Sequence, residues 1–227
     1  MAQSASKAIT DAVADKARPE ADTVRDADRK PAECIALTGI HPGSKVAEML
    51  PGGGYFTRIF SKVLGPQGTL YAWLPLPAPN APPGGRDMSA PIKALMADYP
   101  NIKLANLDPS TPLPEQVDLV WTSLNYHDMR RGNADLGPTN KMVWNALKPG
   151  GLYMVIDHAA VKGSGARDLG LHRVDPELVK QEVMAAGFKV AADSDLLKHP
   201  ADDHTKGSHD VERGKSDQFV LLFQKVG

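Results

Sequence analysis

The 227-residue chain carries 26 Lys+Arg against 27 Asp+Glu, a net charge of −1 that provides no global basic field for nucleic acid or an anionic membrane. Hydrophobic residues make up 42% of it, enough to fill one α/β core, and no apolar run approaches the ~20 residues of a membrane span. A lone cysteine, Cys34, excludes an internal disulfide, and its neighbours Ile35 and Leu37 mark it as a buried structural thiol.

The chain opens with Met1-Ala-Gln-Ser-Ala-Ser6, which lacks the basic and apolar regions of a signal peptide and so points to the cytoplasm. A mature periplasmic chain whose leader has been removed is the alternative. Residues 4–17 are alanine-rich, with Ile9 and Val13 one turn apart, a thin helical stripe that needs a partner surface. From there to Lys30 acids and bases alternate. This stretch is either a solvated arm or a cover that packs on the following domain or on a second subunit and closes its cleft. Residues 1–40 are accordingly expected to form a helical arm and 41–227 the functional domain.

Pro31–Leu37 fits a short helix with proline in its first turn and Gly39 just past its end. Strand-like and helix-like segments then alternate, as βαβ units of a parallel sheet require. Strands are expected at Lys45–Leu50, Thr69–Leu74, Ile102–Leu107, Val117–Ser123, Leu152–Asp157, Phe188–Ala192 and Gln218–Gln224. Helices are expected at Tyr55–Leu64, Ser89–Tyr99, Gly137–Leu147 and Pro176–Ala186. Between them Pro75–Gly85, with proline at 75, 77, 79, 82 and 83, can only be an exposed loop.

The most telling segment runs from the first strand into Glu48-Met-Leu-Pro-Gly-Gly-Gly-Tyr55. Glycines let backbone approach a ligand closely, and the free N–H groups of the next helix offer donors, so this turn reads as a pocket for a dinucleotide, a phosphate or another adenosine cofactor, or else as a plain strand–helix connection. Glu48 stands four residues before Gly52 and six before Gly54. That spacing resembles the acidic glycine-rich turn of class I S-adenosylmethionine-dependent methyltransferases, with Leu50 in place of the first glycine. Val117-Asp-Leu-Val-Trp-Thr-Ser-Leu-Asn-Tyr-His-Asp128 resembles the family's fourth strand and active-site loop, and Leu147-Lys-Pro-Gly-Gly-Leu-Tyr-Met-Val-Ile-Asp157 its Pro-Gly-Gly turn and fifth strand. Arg25-Asp26, Arg29-Lys-Pro31 and Arg213-Gly-Lys-Ser-Asp-Gln-Phe219 resemble a bacterial group of methyltransferases of unassigned substrate.

The resemblance implies a Rossmann-like α/β fold: a mostly parallel seven-stranded sheet, helices on both faces and an antiparallel last strand. It also implies S-adenosylmethionine as cofactor and a small-molecule acceptor. Glu48, Pro51, Gly52, Gly53, Gly54 and Tyr55 would bind the donor, with Glu48 toward its amino end. Asp108 would accept from the adenine amino group, or else is a turn carboxylate before Pro109; Asn125 would also face the donor. Many members carry an acid at the end of the second strand for the ribose hydroxyls, whereas Tyr71-Ala-Trp-Leu-Pro75 has none, leaving Trp73 or Tyr71 to stack on adenosine.

His127 with Asp128 is the catalytic candidate: a neutral imidazole can take the acceptor's proton while a carboxylate orients it. His158 and His172 are weaker candidates at the acceptor side. No metal is expected, because the five-residue spacing of His199, His204 and His209 matches no common zinc pattern and reads as a solvated loop. Two other classes compete. A short-chain oxidoreductase is disfavoured because its Tyr99-to-Lys103 pair is broken by Pro100. A non-catalytic ligand-binding protein on the same fold is favoured by Leu50 and the absent ribose acid. Oligomeric state stays open, a homodimer included.

Overall fold

In the computed structural model, which describes residues 5–77 and 87–227, the apolar runs assemble into one seven-stranded sheet. Its strands are β1 (Lys45–Met49), β2 (Thr69–Leu74), β3 (Ile102–Asn106), β4 (Val117–Ser123), β5 (Leu147–His158), β6 (Phe188–Ser194) and β7 (Gln218–Lys225), in the order β3-β2-β1-β4-β5-β7-β6. Neighbours from β3 through β5 pair in parallel, and β7 runs antiparallel to both β5 and β6. Strand order reverses between β1 and β4, which places a crevice at their carboxyl ends.

The helices are α1 (Lys7–Val13), α2 (Glu20–Thr23), α3 (Asp26–Arg29), α4 (Pro31–Ala36), α5 (Tyr55–Leu64), α6 (Ala90–Leu95), α7 (Tyr126–Met129), α8 (Gly137–Ala146) and α9 (Pro176–Ala185). Central strands are apolar on both sides because helices cover both faces, and successive side chains enter different cores. Leu70, Ala72 and Leu74 of β2 join the core that contains α5, whereas Tyr71 and Trp73 join the core beneath α8 and α9.

Two expected boundaries move by four residues or more. β5 begins at Leu147 rather than Leu152, because Leu147 pairs with Val117 and pairing resumes at Leu152 opposite Leu119, with the Pro-Gly-Gly segment bulging between. The Ser89–Tyr99 helix contracts to α6, and Met96 to Asp98 form a turn ahead of Pro100. Of the Pro75–Gly85 loop, residues 78–85 lie outside the described residues.

The arm is packed, not solvated. Ile9 and Ala12 are buried and Val13 partly so, an i, i+3, i+4 face that lies on α5. Removing the Ile9 side chain from water stabilises the arm by roughly 2 kcal/mol. Beyond α1 the chain is tied by ions: Arg18 grips Asp26 with two bonds of 2.7 Å, Arg58 reaches Asp22 at 2.9 Å, and Lys62 reaches Asp15 at 2.9 Å. Cys34 is fully buried and its thiol is pushed up to about 12 by that burial, in keeping with a structural role. Among the described residues no helix is long and apolar enough to cross a membrane.

Candidate active-site cleft

The turn after β1 carries three residues in the left-handed region: Leu50 (φ 51°), Gly52 (φ 57°) and Gly54 (φ 86°). For the glycines this conformation costs little; for Leu50, standing where the related turns have glycine, it is strained. Two bonds hold it there. Leu50 N–H donates to Trp73 O at 2.8 Å, and Asn125 Nδ2 donates to Leu50 O at 3.2 Å and to Ser123 O at 2.8 Å. The glycines differ in what they leave room for. A Cβ on Gly54 would stand 2.6 Å from Leu95 Cδ1, so Gly54 serves packing. Gly52 and Gly53 are exposed, and a Cβ on either meets nothing within 4 Å.

On one side of this turn lies a cavity of about 200 Å³ lined by Glu48, Tyr55, Asn125 and, from the arm, Asp22, Arg25 and Arg29. Glu48, next to last in β1, is almost fully buried and accepts from Thr57 Oγ1 at 2.6 Å. Burial pushes its carboxyl up to about 8, against the pull of Thr57, Arg29 and Arg58. Arg29 donates to Ser123 Oγ at 3.0 Å and lies over the rings of Tyr55 (4.3 Å) and Phe56 (4.8 Å). Burial, then the neighbouring Arg25, depresses its guanidinium to about 10. No carboxylate forms an ion pair with Arg29 among the described residues.

On the other side of the turn a cavity of about 340 Å³ is lined by Leu50 to Gly53, Leu74, Asp87, Met88, Pro91, Asn125 and Asp128. Asp87 was not anticipated. It supplies an acid to the β2 side from beyond the proline-rich loop, and its carboxylate accepts from Ser89 Oγ and Lys93 Nζ. Trp73 and Asp108, by contrast, do not line either cavity. Trp73 alternates with Leu74 and so faces the opposite core, its Nε1 donating to Asn106 O at 2.9 Å. Asp108 is a turn carboxylate, accepting from Ser110 N–H at 2.7 Å and Ser110 Oγ at 2.6 Å. Tyr71 is likewise buried on the far face and donates to Glu115.

His127, in α7 just beyond β4, is buried. Its orienting carboxylate is Asp157, at the end of β5, rather than Asp128. Asp157 is fully buried; it accepts from His127 Nδ1 at 2.7 Å and from the His127 N–H at 2.8 Å. That leaves Nε2 as the nitrogen facing outward, 3.6 Å from Asp128 Oδ2. Burial disfavours the imidazolium, but the bond to Asp157 and the charges of Asp157 and Asp128 hold the pKa above its ordinary value. His158 behaves oppositely, pushed down to about 4 by burial, and its Nδ1 meets Ser216 Oγ at 2.9 Å.

Beyond Arg29 and Leu124 a third cavity, about 420 Å³, is lined by Arg25, Asp28, His158, Ser208, His209 and Arg213 among others. Ser208 is buried there with its Oγ unpartnered. The loop that supplies this wall is largely exposed, His209 included, as the solvated reading of His199 to His209 expects, but it is anchored from within. Asp217 accepts from His199 N–H at 2.7 Å and lies 3.0 Å from His204 Nε2, and Asp202 pairs with the fully buried Arg173 at 2.8 Å. A buried acid closing an apolar strand was the available signal for Asp157; Arg29, Asp87 and Ser208 act through folding that brings distant segments together.

No family model matches the chain, and no curated protein matches it in sequence. Its fold is that of the class I S-adenosylmethionine-dependent methyltransferases. A SAM-dependent methyltransferase from Aquifex aeolicus superposes with a TM-score of 0.62 at 16% identity, over 91% of this chain and 96% of its own. A methyltransferase from Haloferax volcanii, solved in complex with the Trm112 methyltransferase activator, gives 0.61 at 15%, over 97% and 98%. Fibrillarin from Aeropyrum pernix, solved with natively bound S-adenosyl-L-methionine, gives 0.51 at 14%, over 84% and 72%.

Proposed function

We propose that the chain is an S-adenosylmethionine-dependent methyltransferase acting on the hydroxyl of a small molecule. The observation that carries this reading is the pairing of Glu48 and Arg29 in one cavity beside the open Gly52-Gly53 backbone. An α-amino acid end presents an ammonium and a carboxylate a few ångströms apart. A buried acid and a half-buried cation without an ion-pair partner among the described residues offer each of them a partner, and desolvated charges gain most when so matched. The glycines leave space for the donor's body to cross the turn, and Asp87 stands where ribose hydroxyls need an acceptor.

When bound, the donor's sulfonium supplies an electrophilic methyl group. The protein's part is alignment, of order 7–11 kcal/mol in favourable cases, and removal of the acceptor's proton, roughly 10²–10⁴-fold. Asp157 fixes the proton on Nδ1 and leaves the Nε2 lone pair of His127 to accept that of the acceptor hydroxyl. The cavity of about 420 Å³ walled by the arm and by His158, whose ring centroid lies 6.1 Å from that of His127, suits a small acceptor rather than a macromolecule.

A second reading, a non-catalytic binder of the same ligand, is favoured by the strained Leu50 and by the missing acid directly after β2. Calorimetric titration with S-adenosylmethionine and S-adenosylhomocysteine, then a methyl-release screen over phenols and alcohols, tests both. Absence of binding by either compound overturns the donor assignment; binding without release on any acceptor favours the second reading.

A further inference from the structure

His172 plays no part in the mechanism above, yet its position is heavily constrained. Its backbone is left-handed (φ 51°), and the next residue, Arg173, is fully buried and held by Asp202, by Lys206 O at 2.8 Å and by Ala159 O at 3.0 Å. Such anchoring delivers the His172 ring edge-on to His127, with centroids 5.4 Å apart. His172 Nδ1 lies 3.8 Å from Asp128 Oδ1, and His127 Nε2 lies 3.6 Å from Asp128 Oδ2. One donor atom from each of the three residues falls within 4.8 Å of the others.

We infer that His127, Asp128 and His172 form a binding site for one divalent first-row transition ion at the acceptor end of the cleft. Two imidazoles and a carboxylate on one side of an otherwise open position are a recurrent ligand set for zinc and iron. Asp157 completes it: by accepting from Nδ1 it leaves Nε2 unprotonated and aimed outward, the arrangement that orients metal-bound histidines. Bonds of about 2.0–2.2 Å would draw the donor atoms to about 3.4 Å apart in a tetrahedral site. Rotations of Asp128 and His172, both partly exposed, supply that closure. Asp128 also accepts from Arg131 at 2.9 Å, but that guanidinium is exposed and its pairing weak. With the ion bound, Nε2 would serve as a ligand, and the base role of His127 described above belongs to the metal-free protein.

The inference rests on the acceptor-end geometry and is independent of the methyl donor. It is tested by dialysing the whole protein against Co²⁺, measuring bound metal and the visible ligand-field absorption, and displacing with Zn²⁺. One Co²⁺ per chain is expected. His172→Ala and Asp128→Asn should each weaken it at least about tenfold, while His41→Ala at an exposed, distant ring leaves it unchanged. Failure to retain Co²⁺, or retention unaffected by both site substitutions, overturns the site. Titrating S-adenosylmethionine into the same samples separates loss of the metal site from loss of the donor reading.

Discussion

At the β1 end of the cleft the open surface is backbone: Gly52 and Gly53 are exposed with open space above them, beside the charged side chains of Asp22, Arg25, Arg29 and Glu48. At the β4–β5 end the reverse holds, since the backbone recedes and His127 is fixed by two bonds to a fully buried carboxylate. The first arrangement recognises a ligand by letting it come close. On the proposed function, the second positions a proton acceptor before any ligand arrives. Substitutions at the two ends should therefore fail in different currencies, affinity in one case and turnover in the other.

Gly53→Val should break that contrast most severely. Gly53 has no positive φ and nothing within 4 Å of its Cβ position, so the fold survives while the side chain fills donor space. Donor affinity is expected to fall more than about 100-fold, some 2.7 kcal/mol, with little change in melting temperature. Gly54→Val, whose Cβ meets Leu95, should instead lower the melting temperature. Calorimetry beside thermal melts separates the two, and an unaffected Gly53 variant removes the cradle from the donor site. Next in size, His127→Ala should lower turnover by about 10²-fold with donor affinity within a few-fold. Near-normal turnover would make His127 structural.

Asp157→Asn sharpens the comparison further. The wild-type rate should fall as pH drops through a histidine pKa held above about 6.5 by Asp157. Without that carboxylate the acid limb should move to lower pH and the plateau drop about tenfold; a pH–rate profile with an unmoved limb assigns titration elsewhere. The smallest effect concerns Glu48, whose burial pushes its carboxyl up to about 8. Its ionised form is the partner for an ammonium, so donor affinity should rise as pH climbs toward 8. Glu48→Gln should flatten that rise, and titrations at pH 6.5 and 8 suffice to see it.

Much of the fold was legible because strands such as Val117–Ser123 are continuous apolar runs bounded by turn residues, and helix Tyr55–Leu64 follows its glycines directly. Glu48, Gly52, Gly53 and Asn125 do meet in one crevice, since all lie at the carboxyl ends of β1 and β4. Trp73 misled because both faces of β2 are apolar, which hides the strand's parity in the sequence. The partner of His127 was hidden differently: Asp128 is adjacent in sequence, but Asp157 is brought alongside only by the pairing of β4 with β5.

Leu50 holds a backbone conformation that disfavours a residue with a side chain by about 1–2 kcal/mol, and the bond from Asn125 across the crevice helps to hold it. The curvature of the donor cradle is thus under tension from the opposite strand, like a bow held by its string. Cutting that string with Asn125→Ala would let the 50–51 peptide relax and carry Gly52 with it, without touching the cradle itself. The two banks of the crevice are consequently coupled: a change at position 125 also alters the geometry of the turn that carries Gly52 and Gly53.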